Sequence, residues 1–168
     1  MLDAIDRISD LCGRLAAWLF FAIGVMITYE VVARYLFNAP TIWAEEMSRF
    51  FQLWAVYIAA AYVLRHRQLI RITMLIDRLG DTGRRLAEAF TLVWILAFCA
   101  IAIWKGFVIV IDSIEIGRAT STMLGVPKWM TESAVPVGFL LLALQCLAEL
   151  VRLARGGEVD SGRIEEQM

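Results

Sequence analysis

At 168 residues the chain is short enough for a single domain. However, 60% of it is hydrophobic and its mean hydropathy is +0.68, beyond the roughly 45–50% apolar content of soluble domains. The net charge of −1 points to no class of partner, and nucleic acid is not expected as one. An odd count of three widely spaced cysteines, Cys12, Cys99 and Cys146, argues against a disulfide framework and offers no metal-ligand spacing. They are expected to be free thiols packed as small hydrophobes.

The apolar residues fall into four blocks, each about as long as the roughly 20 residues a helix needs to cross the hydrocarbon core. The first runs from about Leu11 to Ala33. It is too long for a signal-peptide core and no small-residue cleavage site follows it, so no cleavable leader is expected. The second runs from Trp43 to Leu64, the third from Leu86 to Ile111 and the fourth from Trp129 to Leu153. None shows the polar face of a soluble amphipathic helix. The expected fold is an all-α integral membrane protein with four transmembrane helices over residues 1–155, followed by a polar cytoplasmic tail, 156–168.

Basic residues set the orientation. Arg7 and Arg14 precede the first block. Arg65, Arg67, Arg71, Arg78, Arg84 and Arg85 lie between the second and third, and Arg152, Arg155 and Arg163 follow the fourth. The other side holds only Arg34, Arg118 and Lys128. Both termini and the central loop are therefore expected in the cytoplasm. Within that loop Leu69, Ile72, Leu75, Ile76 and Leu79 recur at helical spacing ahead of Gly80. This predicts a short amphipathic helix over about 68–79, lying along the headgroups. Plain continuation of the second block is the alternative.

The densest polar cluster surrounds the first outward hairpin. Glu30 and Arg34 end the first block; Thr41 is the expected N-cap of the second; Trp43, Glu45, Glu46, Arg49, Gln52 and Trp54 follow. A spacing of four makes Glu30–Arg34 and Glu45–Arg49 ion pairs along one face, and Gln52 continues the second of these faces. Three readings stay open: contact with another membrane protein, pinning of the first helix to the second, or an ion or proton path. Lys105, inside the third block, should snorkel outward or meet a partner's acid. Pro136 should bend the fourth helix and free a carbonyl. The lone histidine, His66, is expected on the solvated surface. The six tryptophans read as interfacial or packing aromatics.

Enzyme classes find little footing here. One histidine cannot supply paired haem ligands. There is no phosphate-binding loop, nucleophile elbow or zinc-helix signature. No catalyst, cofactor or metal site is expected.

Arg34-Tyr35-Leu36-Phe37, then Trp43-Ala44-Glu45-Glu46, Arg49 and Trp54, resemble the first hairpin of the small membrane subunit of tripartite ATP-independent periplasmic (TRAP) transporters. Gly125-Val126-Pro127-Lys128-Trp129 and Val135-Pro136-Val137-Gly138-Phe139 are similar to that family's entry to its fourth helix, and Ile70-Arg71-Ile72 before Asp77-Arg78-Leu79 to its cytoplasmic segment. The family usually carries a histidine and an aspartate where Leu69 and Thr73 stand, so no role is carried over to those two positions. The resemblance spans about residues 10–153. It implies a bacterial inner-membrane subunit paired with a larger one that binds substrate and ions. A periplasmic binding protein would deliver the solute, often an organic acid, and an ion gradient would drive uptake, with the small subunit as a fixed scaffold. Two rivals remain: a self-contained proton-coupled exporter working as a homodimer through Glu30 or Glu46, and an assembly factor for another membrane complex.

Overall fold

The computed structural model describes residues 2–66, 80–120 and 125–155. The expected amphipathic helix, positions 69 and 73, and the polar tail fall outside these residues.

Among the described residues the regular elements are all helices, with an isolated antiparallel bridge between Ala119 and Pro127. Helix α1 covers Leu2–Leu36, α2 Ile42–Arg65, α3 Asp81–Glu115, α4 Lys128–Glu132 and α5 Ala134–Ala154. Four segments are long and apolar enough to cross a membrane: Ala4–Leu36, Ile42–Arg65, Thr82–Glu115 and the α4–α5 run Lys128–Ala154. The first and third are longer than their apolar blocks, since α1 and α3 have 35 residues each. Helix continues through their polar first turns because Ala, Leu, Arg and Glu there are strong helix formers.

Each reversal has a local cause. After α1 the backbone turns at Asn38, whose φ of 49° lies in the left-handed region that Asn tolerates, and the amides of Phe37 and Ala39 both bond to the Ala33 carbonyl. Gly117, with φ 65°, ends α3. Residues 118–120 then pair with 126–128 through Thr120 N to Val126 O at 2.9 Å and Lys128 N to Arg118 O at 3.0 Å. Pro136 has no N–H, so the carbonyl four residues earlier, at Glu132, loses its helical donor; the chain is jointed at Ser133, between α4 and α5.

The helices pack as a row. Helix α1 lies on α2, α2 on α5, and α5 on α3, with only a minor contact between α1 and α5. Lipid supplies no hydrophobic drive between helices, so close approach at small residues must hold them. Ala16 meets Ala55 and Ile58 between α1 and α2. A Cβ on Gly138 would stand 2.7 Å from the Tyr57 carbonyl oxygen, so α5 crosses α2 at a glycine. Cys99 and Cys146 are buried free thiols, as is typical of small apolar residues, and Cys146 bonds to the Leu92 carbonyl at 3.1 Å across the α5–α3 seam.

Candidate functional site

The polar side chains gather at the two ends of the helices: the end with the α1–α2 turn, outer by the expected orientation, and the end with the first turns of α1, inner by the same expectation. At the outer end Glu30 is 7% exposed and joins the two arms of the hairpin. One oxygen accepts from Arg34 Nη2 at 2.7 Å and Nε at 3.1 Å; the other accepts the Thr41 amide at 2.9 Å and the Thr41 hydroxyl. Thr41 does occupy the N-cap position of α2, but its side chain makes no capping bond. The carboxylate of Glu30 is the better acceptor and takes both of its donors.

Glu46, one turn into α2, accepts from the Thr120 hydroxyl at 2.6 Å and so fastens the loop after α3. Trp54 donates from Nε1 to the Met130 carbonyl at 3.1 Å, holding α4 against α2. Ser113 donates to Glu132, and Arg118 pairs with Asp112 at 2.6 Å. Glu45 and Arg49 pair at 2.5 Å, yet their side chains stay 58% and 70% exposed. They share an outward strip with exposed Gln52 and Val56. Trp43 is half-exposed, its ring 6.0 Å from Tyr29. The expected cluster thus divides: Glu30, Arg34, Glu46 and Trp54 hold the chain's own elements together, whereas Glu45, Arg49 and Gln52 look away from them.

A second cluster at the other end was not anticipated from the sequence. Gln145, near the end of the uncharged run of the fourth block, is 0% exposed. Its carbonyl accepts from Ser9 Oγ at 2.8 Å, and its amide reaches Asp6 at 3.4 Å and Glu149 at 3.2 Å. Arg152 bonds both Asp6 and, at 2.8 Å, Glu149. Arg65 at the end of α2 pairs with Asp10 at 2.5 Å and donates to the Asp6 carbonyl. This inner network ties α1, α2 and α5 together. His66 is exposed, as expected, and lies 3.1 Å from Asp10, with its ring centroid 4.2 Å from that of Tyr62. A lone glutamine and an aspartate 146 positions from its arginine carry no periodic signal; the buried amide inside an apolar block was the one available hint.

Lys105 and Pro136 lie away from both clusters. Pro136 is fully buried, its ring 3.0 Å from where a Cβ on Gly106 would be. Lys105 is exposed on α3, its Nζ 5.8 Å from the centroid of the Trp104 ring. Among the described residues no group of three His, Cys, Asp or Glu is placed to hold a metal ion.

Residues 23–156 match the family described as Tripartite ATP-independent periplasmic transporters, DctQ component. The chain is 25% identical over 157 residues to the sialic acid TRAP transporter small permease protein SiaQ of Vibrio cholerae, covering 89% of this chain and 87% of that one. It is 29% identical over 127 residues to the C4-dicarboxylate TRAP transporter small permease protein DctQ of Rhodobacter capsulatus, covering 74% of this chain and 56% of the other. It is 27% identical over 157 residues to the isethionate TRAP transporter permease protein DctMQ of Oleidesulfovibrio alaskensis. That match takes in 92% of this chain but spans only 24% of that longer relative. Four membrane-length helices and these relatives make the chain a multi-pass protein of the bacterial inner membrane and a transporter component, not an enzyme. It belongs to the DctQ-component family, the small permease subunits of TRAP transporters.

Proposed function

We propose that the chain is the static partner of a larger membrane subunit that carries solute and ions, and that a periplasmic binding protein supplies the solute. The observation that carries this is where the polar side chains go. Glu30, Glu46, Trp54, Gln145, Asp6 and Arg152 all bond between the chain's own elements, at both ends of the helices. A membrane protein that must change shape around cargo needs polar groups that exchange partners; helices laced together at both ends suit a part that stays still while another moves. The match to about a quarter of a longer DctMQ permease chain supports a larger partner. Relatives named for isethionate, sialic acid and C4-dicarboxylates favour a small organic acid as solute. The arginines of the central segment favour cytoplasmic termini.

The test is retrieval of the tagged chain from native membranes in mild detergent, with uptake of labelled organic acids measured in cells with and without it. A large polytopic protein should accompany the chain in comparable amount, and uptake should require both. Solute transport by the reconstituted chain alone would overturn the reading in favour of a self-contained exporter. The engagement of both Glu30 oxygens by Arg34 and Thr41 already weighs against that rival.

A further inference from the structure

Helix α3 stands at one edge of the row and is covered on one side by α4 and α5. Leu92, Cys99 and Gly106 form its buried side. The opposite side presents Phe90, Trp94, Ile101, Trp104 and Val108, all about half or more exposed. At 100° per residue these fall within one stripe, and from Phe90 to Val108 it runs about 27 Å, most of the hydrocarbon thickness. Phe90 and Trp94 are stacked, with ring centroids 6.3 Å apart.

One cation interrupts this stripe. Lys105 is exposed, with uncharged residues from Ala89 to Trp104 before it and from Gly106 to Ile111 after it. Arg34, Arg49, Arg65, Arg118 and Arg152 each hold a carboxylate. Among the described residues Lys105 holds none, and its ammonium instead folds over the Trp104 ring. Helical side chains lean toward the N-terminus of their helix. For Lys105 that direction is back along the apolar stripe, away from the nearer polar end at Asp112, about 10 Å on. The lean works against a headgroup phosphate at that end. It suits an anion at the lysine's own depth, and within hydrocarbon such an anion has to come from protein.

The geometry points to a docking seam on this face: the Phe90–Val108 side of α3 receives a transmembrane helix of the larger subunit that carries an Asp or Glu opposite Lys105. The aromatic stripe supplies the packing surface and the ion pair fixes depth and register. This rests on the reading above that a larger membrane subunit is the partner.

The test is recovery of the larger subunit with tagged wild-type chain and with Lys105→Arg, Lys105→Met, Lys105→Glu and Val108→Trp. The arginine variant should recover it like wild type. The methionine and tryptophan variants should lose about threefold to tenfold, the range that interhelical polar contacts and packing supply in membranes, and the glutamate variant more. Lysine in place of the facing acid of the larger subunit should restore binding to Lys105→Glu. The isolated variants should keep the wild-type thermal midpoint, since Lys105 bonds to no other element of the described chain. Equal recovery by all variants overturns the seam while leaving the proposed function intact; failure of wild type to recover a larger subunit overturns both. Loss of co-purifying phospholipid in Lys105→Met with recovery unchanged assigns the charge to a headgroup and also overturns the seam.

Discussion

The two ends of the helices are built on different plans. The outer end is a set of separate clasps, most of them local: Glu30 to Arg34 and Thr41, Glu45 to Arg49, Ser113 to Glu132 and Arg118 to Asp112, with Glu46–Thr120 and Trp54–Met130 reaching farther along the chain. The inner end is one closed network in which Asp6, Arg65, Gln145 and Arg152 draw three helices to a common point. Clasps allow one strip, Glu45–Arg49–Gln52, to remain outside the fold. A closed network uses its groups on itself. The outer end can therefore present polar chemistry to a neighbour, whereas the inner end mainly sets how far apart the helices stand.

Breaking the network should have the largest effect. Asp6→Ala leaves Arg65, Arg152 and Gln145 short of an acceptor in a half-buried site. A loss of about 3 kcal/mol is expected, read as a lower thermal midpoint of the purified protein in detergent. At the outer end, Glu30→Ala removes four donors' acceptor but leaves Arg34 able to turn to solvent, since its side chain is 50% exposed. About 2 kcal/mol is expected by the same measurement, with faster proteolysis within 36–42. Between the two ends, Gly138→Ala brings a methyl onto the Tyr57 backbone and should destabilise by about 1–2 kcal/mol, whereas Gly24→Ala, with open space around it, should be neutral or slightly stabilising. The smallest effect on stability is expected at the outward pair. Glu45→Ala and Arg49→Ala should each shift it by less than about 1 kcal/mol. Their consequence belongs in recovery of the larger subunit, which should fall in both. A large stability loss at Glu45 would erase the contrast between inward clasps and an outward strip.

How legible each end was in the sequence follows from its plan. Ion pairs four residues apart, Glu30–Arg34 and Glu45–Arg49, can be read from spacing because the helix fixes their relation. The four apolar blocks are legible for a similar reason: lipid demands a long uncharged run whatever the packing. The use made of Thr41 was not, because its hydroxyl donates to a carboxylate eleven residues away and accepts from no amide of α2. Gln145 is a lone amide in an apolar run with no local signal, since its partners Ser9 and Asp6 come from the far end of the chain. Pro136 signalled a disturbance, but that the joint would fall at Ser133 depends on which carbonyl loses its donor.

The lengths of the two edge helices carry a further consequence. Thirty-five residues make a rod of about 52 Å, and even at a tilt of about 40°, the upper end of what spanning helices adopt, it rises about 40 Å. A bilayer interior of about 30 Å cannot swallow that, while the 24 residues of α2 fit with an ordinary lean. So α1 and α3 stand proud of the lipid like the uprights of a ladder above its rungs. At the starting end of α1 that surplus is braced: Asp6 and Asp10 meet Arg152 and Arg65, so its first turns lean on the last turns of α5 and α2.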